Sequence, residues 1–216
     1  MEPFNSEEKE FWSEIYQDKE DSQEFYSKWA QSYDDIFENN TLCSFNEHAC
    51  KKLSALIKGD KDKVEVIDLG CGTGGTAVRL KNQGFNVIDG VDGSEEMLKE
   101  AKGKSIYRNL SQKLILGEGS LDDLRENSYD AAIMIGAISK RHVHVRDALR
   151  EILRLVKPGG VAVYGVNDRH RSMNVLQIHA DLEKARRFDL VSIERLPYIS
   201  VVGEIHQCYL FCIEVL

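Results

Sequence analysis

Residues 66–75 read VIDLGCGTGG, an apolar run that stops at a cluster of glycines and continues into the helix-compatible stretch TAVRLKNQG. No other segment constrains the fold as much. Glycines directly after a buried strand let the backbone turn sharply into a helix and approach a ligand with no Cβ in the way. Two registers coexist in the turn. Gly70, Gly72 and Gly75 spell G-x-G-x-x-G, the pattern of dinucleotide-binding turns. Gly70, Gly72 and Gly74 spell the shorter G-x-G-x-G. Either register implies a nucleotide-type ligand at the carboxyl end of a strand, and the residues around the turn must decide which one.

The rest of the chain alternates as that turn requires. KVEVIDL, FNVIDGVD, KLILGE, YDAAIMIGA and GVAVYGVN are strand-like, whereas GGTAVRLKNQG, SEEMLKEAKG (with Ser94 as N-cap), VRDALREILRLV and residues 174–187 are helix-like. Three further helices are expected over 6–17, 21–37 and 45–58, and the KPGG turn leads into the fifth strand. FDLVSIERLPYI and EIHQCYLFCIEVL close the chain with only a short break near Ser200–Gly203. A parallel crossover needs a dozen or more residues, so these two must pair antiparallel. The expected fold is α/β: a doubly wound, mostly parallel sheet with an antiparallel strand at the carboxyl end.

Composition narrows the function. The 216 residues suit one sizeable α/β domain, and a net charge of −8 with no polybasic stretch argues against a nucleic-acid surface. The acidity is local: residues 1–40 hold 12 acids and 3 bases. No apolar run is long enough to span a bilayer, and the acidic start MEPFNSEEKEF fits neither a secretory signal nor a transit peptide. Five irregularly spaced cysteines (43, 50, 71, 208 and 212) read as reduced thiols, so a cytoplasmic or nuclear location is expected. Cys43, His48 and Cys50 fit no common zinc spacing, and Cys208 and Cys212 read as core.

Four features bear on the ligand. Asp68, two residues before Gly70, would repel a pyrophosphate but suits S-adenosylmethionine (SAM), whose sulfonium and ammonium are cationic. Asp92, at the end of the next strand, can accept hydrogen bonds from ribose hydroxyls, as either nucleoside ligand requires; Asp89 is its nearby rival. No tyrosine is followed four residues later by lysine, as a short-chain dehydrogenase would need, and there is no room for a second domain. The antiparallel ending is the fourth. SAM is the ligand these features favour; an NAD(P) oxidoreductase is the reading they weaken.

VIDLGCGTGGTA resembles motif I of the class I SAM-dependent methyltransferases, and GVDGSEEMLKEA is similar to their second-strand motif. GEGSLDDLRENSYDAAIM resembles the family's acidic loop into strand four, with Glu118 where Asp is usual, and KPGG before strand five is another shared habit. KWAQSYDDIF, IMIGAISKRHV and LREILRLVKPGG look most like the Williams–Beuren syndrome region methyltransferase-like proteins. The resemblance implies a Rossmann-like seven-stranded sheet, SAM as cofactor and S-adenosylhomocysteine as product. It also implies roles. Gly70, Gly72 and Gly74, with Cys71 among them, would lie against the methionine part and ribose, and Asp68 near the ammonium. Asp92 would hold the ribose, assisted by Gly93 or Ser94. Glu118, Gly119, Ser120 and Leu121 would meet the adenine, while Ile135, Gly136 and Ala137 would wall the methyl donor. Trp29 and Tyr33, four apart on one expected helix, would belong to a lid over residues 1–40 covering a SAM-binding domain of residues 41–216. Cys71 is the thiol whose modification would block the site.

The expected reaction is methyl transfer to a small-molecule acceptor, with no N/D-P-P-Y segment to indicate an amide or base nitrogen. SKRHVHVR and NDRHR follow the fourth and fifth strands, where residues 140–171 hold 8 bases and 3 acids. An anionic acceptor would suit them, with Arg141 and Arg169 as binding groups and His142, His144 or His170 as a base. Against this, Arg146, Arg150 and Arg154 recur at i+4 and read as a solvated helix face. The competing expectation is a catalytically silent SAM-binding module that acts through a protein partner.

Overall fold

The computed structural model describes residues 6–16, 22–39, 44–115, 117, 119–139, 142–167, 175–201 and 204–216. Helices α1 (Ser6–Tyr16), α2 (Ser22–Trp29), α3 (Tyr33–Asn39) and α4 (Ser44–Leu56) precede the sheet. Then follow β1 (Glu65–Leu69), α5 (Gly75–Asn82), β2 (Val87–Asp92), α6 (Glu95–Gly103), β3 (Asn109–Gln112) and β4 (Tyr129–Ile138). The carboxyl half contains α7 (Val145–Leu155), β5 (Val156–Asn167), α8 (Val175–Lys184), β6 (Phe188–Val201) and β7 (Glu204–Val215). The seven strands lie in the order β3-β2-β1-β4-β5-β7-β6. β7 runs antiparallel to both of its neighbours, and every other pairing is parallel. The strand order reverses between β1 and β4, which opens the crevice where ligands bind in sheets of this kind.

Each face of the sheet is covered. On one face, Ile67, Met134 and Tyr164 pack under α7, whose Val145, Leu149 and Ile152 are fully buried. Complete burial of such a side chain stabilises by roughly 1.5–3 kcal/mol, so α7 is held by its packing rather than by propensity. On the other face, Phe45 and Leu53 of α4 and Leu80 of α5 meet Val66, Ile133 and Leu210. A third, smaller cluster (Phe11, Trp12, Trp29, Ile36) joins α1–α3 to Ile199 of β6. No helix among the described residues is long and apolar enough to cross a membrane.

Three expectations are corrected. The 21–37 helix is two helices, broken at Ala30–Ser32; the Ser32 carbonyl accepts from Ile36 N at 3.0 Å, and Asp34 and Asp35 fill the first turn of α3. A serine followed by acids is a helix-start signal, and it outweighs the continuous apolar period. The third strand is Asn109–Gln112, not KLILGE. Its register with β2 ends at Asp92↔Gln112, and beyond Lys113 N, which donates to Asp92 O at 2.8 Å, β2 offers no further ladder. Leu114 and Ile115 turn instead to line a cavity. Lastly, Arg154 is not solvated: it donates to Leu121 O and Leu124 O, both at 2.8 Å, and pairs with buried Glu151 at 2.7 Å. Those carbonyls end an irregular turn, and a planar fork of donors satisfies both. The KPGG turn survives as a bulge inside β5: two residues along β4, from Tyr129 to Ala131, face five along β5, from Val156 to Val161.

Candidate cofactor site

The turn after β1 forms as its glycines require. Gly70 has φ +70°, and a Cβ built on it would sit 2.4 Å from Ala137 Cβ at the end of β4. Any side chain there would separate β1 from β4 at the crevice. Gly74, also left-handed, caps α5, and Gly75 opens the helix. Gly70 N and Cys71 N both donate to Val91 O, at 2.8 and 3.0 Å, which ties the loop to β2.

Asp92 ends β2 beside this loop. Gly72 N donates to its Oδ2 at 2.8 Å and Ser94 N to its Oδ1 at 2.9 Å. Burial pushes its pKa up, and the hydrogen bonds from Ser94, Gly72 and Gly93 N–H groups only partly offset that. Ser94 caps α6 as expected, accepting from Met97 N at 3.2 Å. Asp89, the rival, has a different use. Arg108 grips it through two bonds at 2.9 and 2.7 Å, Tyr129 Oη donates to it at 2.9 Å and Asn109 at 3.0 Å. Burial raises its pKa, but these donors win and hold it below the usual range.

Asp68 lies below the loop, 1% exposed, and accepts from Tyr107 Oη at 2.7 Å. Burial pushes its pKa up to about 7, the Tyr107 bond opposes this, and the charge of Asp92 adds to it. Tyr107, which no sequence signal singled out, is wedged under the turn. A Cβ on Gly74 would stand 3.0 Å from its ring, and one on Gly90 2.9 Å. Cys71 is buried in the same nest, and burial together with Asp68 and Asp92 holds its thiol well above the ordinary range. A thiol kept protonated and covered reacts slowly, and Cys71 is not among the residues that line the cavity.

A cavity of about 220 Å³ opens above the loop. It is lined by Gly70, Gly72, Asp92, Gly93, Ser94, Ile135, Gly136, Ala137, Tyr33 and His142, all named from the sequence. Sequence reasoning missed Tyr26, Met97, Lys113, Leu114 and Ile115. Tyr26 had a signal in the aromatic run FYSKW, but the helix break hides which face it shares with Tyr33. Trp29 is the counterpart correction. It ends α2 while Tyr33 begins α3, so the two do not share a helix face. The indole stacks edge-on with Phe11 at 5.4 Å and donates to Glu14 at 2.8 Å, away from the cavity lining.

Asp68, Cys71, Gly74, Gly119, Ser120 and Leu121 do not line the cavity either. Ser120 Oγ donates to Gly117 O at 3.0 Å and Leu121 is fully buried in the core. His142 lies against the Tyr26 ring at 5.3 Å, with its Nδ1 2.9 Å from Ser139 Oγ. His144 is the N-cap of α7, its Nδ1 accepting from Arg146 N at 3.2 Å, which is a structural use and not that of a base. Glu118, Arg141, Arg169, His170 and Cys43 fall outside the described residues. Near the end of β4, a Cβ on Gly136 would lie 3.1 Å from Tyr198 Oη, so β6 also reaches the crevice.

The switch-point cavity, the glycine turn and the carboxylate at the end of β2 define a nucleoside-binding protein of the Rossmann-like class. Residues 66–160 match the family described as "Methyltransferase domain". The sheet around this segment has the class I SAM-dependent methyltransferase fold; SAM is the cofactor such domains use. Human methyltransferase-like protein 27 is 34% identical over 137 residues, 63% of this chain and 54% of its own length. The ubiquinone/menaquinone biosynthesis C-methyltransferase UbiE of Bdellovibrio bacteriovorus is 29% identical over 163 residues, 70% of this chain and 68% of its own. The chain thus spans about half the length of some curated relatives it matches. A chain from the Haloferax volcanii complex containing the Trm112 methyltransferase activator superposes with a TM-score of 0.63 at 17% identity, covering 90% of this chain and 97% of that one.

Proposed function

We propose that the protein transfers a methyl group from SAM to a small-molecule acceptor. The observation that carries this reading is the pair Asp68 and Asp92. Both carboxylates flank the glycine loop, both have pKa values raised by burial, and neither is paired with a cationic side chain among the described residues. Such a site repels a pyrophosphate and favours a cationic nucleoside. Bound there, SAM supplies an electrophilic methyl on a sulfonium, with a thioether as the leaving group.

The chain's own contribution is alignment. Asp92 is the group to hold the ribose hydroxyls, because its two bonded backbone N–H groups leave further lone pairs on both oxygens. Ile135, Gly136 and Ala137 wall the middle of the cavity. Tyr26, Tyr33 and His142, whose rings lie together in the lining, are the surface for the acceptor. His142, fixed through Ser139, is the candidate to take a proton when the acceptor arrives protonated. The lid role of residues 1–40 finds support in the lining tyrosines on α2 and α3. The anionic character proposed for the acceptor rests on Arg141 and Arg169; Lys113 lines the cavity but is paired with Asp123 at 2.7 Å.

The test is turnover. Incubating the protein with methyl-labelled SAM and a small-metabolite extract is expected to yield S-adenosylhomocysteine and one labelled product, both lost in Asp92→Ala. Tight SAM binding with no turnover in any extract would sink the enzyme reading. It would favour a cofactor-binding module that works through a partner protein, a reading the activator complex of the structural relative keeps in play.

A further inference from the structure

Both tyrosines that line the cavity from the amino-terminal helices are followed at once by a residue anchored elsewhere. After Tyr26, Ser27 Oγ donates to Glu96 Oε2, at the first turn of α6, at 2.8 Å. After Tyr33, Asp34 makes a closer set of bonds. Its Oδ1 accepts from Thr73 Oγ1 at 2.5 Å, and its Oδ2 pairs with Lys104 Nζ at 2.5 Å. Lys104 Nζ also donates to the carbonyl of Thr73, at 2.5 Å. Thr73 stands between Gly72 and Gly74 and is 4% exposed, and Lys104 is the C-cap of α6.

We infer that Asp34 is a positioning residue for the cofactor site, acting through Thr73 and Lys104 to fix the glycine loop and Tyr33 in one arrangement. The physical logic is a three-way clasp. Thr73 offers the loop's hydroxyl and its carbonyl, Lys104 offers a charge from the end of α6, and Asp34 is the acceptor that both need. Gly72 N, one residue away, is the donor to Asp92, so any slackness at Thr73 is passed to the carboxylate assigned to the ribose. Lys104 is 25% exposed and Asp34 43%, so the pair is partly screened by solvent, and the shared bonds to Thr73 are what set it apart from an ordinary surface pair. Coupling of this sort is reciprocal: a ligand that seats the loop also seats α3.

The inference rests on reading the cavity as a SAM site, and the test separates the two. SAM dissociation constants would be measured calorimetrically for the wild type, Asp34→Ala, Thr73→Val, Thr73→Ser and Asp34→Ala/Thr73→Val. The single variants Asp34→Ala and Thr73→Val are each expected to weaken SAM about tenfold. The double variant should be no weaker than either one, and Thr73→Ser should bind as the wild type does. A merely structural contact would not give that non-additivity or that rescue. SAM binding by Asp34→Ala equal to the wild type, or full additivity in the double variant, overturns the clasp. Should Asp34→Ala fail to fold, Lys104→Gln takes its place, with the same tenfold expectation and the same reversal if affinity is unchanged. Absence of SAM binding by the wild type would overturn the reading of the cavity itself, and the clasp's role with it.

Discussion

The two ends of the parallel strands treat their carboxylates in opposite ways. Near the amino-terminal end, Glu65, Asp89 and Asp130 are matched by Arg108 and Lys157 in a continuous ion-pair network, and Asp89 is held below the usual carboxylate range. At the carboxyl end, three residues further along β2, Asp92 receives, among the described residues, only backbone N–H groups, and Asp68 only a tyrosine hydroxyl. Both are pushed up by burial. The first end is built for the stability of the free protein. The second carries buried negative charge whose cost a cationic ligand would offset, which is how a binding site differs from a structural network.

The largest expected effect falls at the structural end. Asp89→Ala leaves Arg108 with Glu65 alone and deprives Tyr129 Oη of its acceptor, so stability should fall by about 3 kcal/mol. Denaturant titration checks this, and a drop under 1 kcal/mol would mean the network is ornamental. Acid sensitivity of comparable size is expected from neither end but from His179, which is 4% exposed, bonded to Tyr164 and lowered by burial to about 4. A histidine neutral in the fold and protonated when unfolded favours the native state above its unfolded pKa. That stability, about 3 kcal/mol, should drain away as pH falls from about 6.5 to 4, and His179→Phe should flatten the profile.

Effects at the ligand end are smaller in stability and appear in binding. Asp92→Ala should weaken SAM on the order of 100-fold, as loss of two charge-assisted bonds would. Asp89→Ala, measured below its melting range, should leave SAM affinity within about threefold of wild type. Equal losses in both would erase the distinction between the ends. The smallest effect sharpens it. Because Asp68 is raised to about 7 in the free protein, a cation bound nearby must displace its proton at lower pH. SAM affinity should therefore rise by up to about tenfold per pH unit toward 7, with Asp68→Asn flat in the same series. Stability runs the other way: with the folded pKa raised from 3.8 to about 7, the free protein loses stability as pH rises from about 4 to about 7, so Asp68→Asn should be more stable than the wild type at pH 8.

This contrast explains which parts of the molecule were legible in the sequence. The strand–glycine–helix turn, Asp92 at its strand end and the antiparallel closing pair are local patterns, set by φ angles, capping and loop length. Each depends on residues close together in the chain, and each stands as read. That Asp92 ends the strand, with Asp89 three residues inside it, was legible because Ser94 marks where the strand must stop. What could not be read depends on distant contacts. Tyr107 reaches Asp68 across 39 positions, and Asp34 reaches Thr73 across 39 and Lys104 across 70. Neither has a local signature. KLILGE has a strand's composition but no partner beyond the end of β2, so its apolar residues serve the cavity instead. The helix break at Ala30–Ser32 sent Trp29 into the amino-terminal cluster and left Tyr33 at the site, because a short capping signal outweighed a long apolar period.

The central claim is that the carboxyl end of this sheet holds a cationic nucleoside. Calorimetric titration of the purified protein with SAM, S-adenosylhomocysteine and NADH, repeated on Asp92→Ala, tests it most directly. Micromolar binding of SAM and S-adenosylhomocysteine, no heat with NADH and loss of both signals in the variant is the result expected. Binding of NADH alone would contradict the account and return the glycine turn to its dinucleotide register.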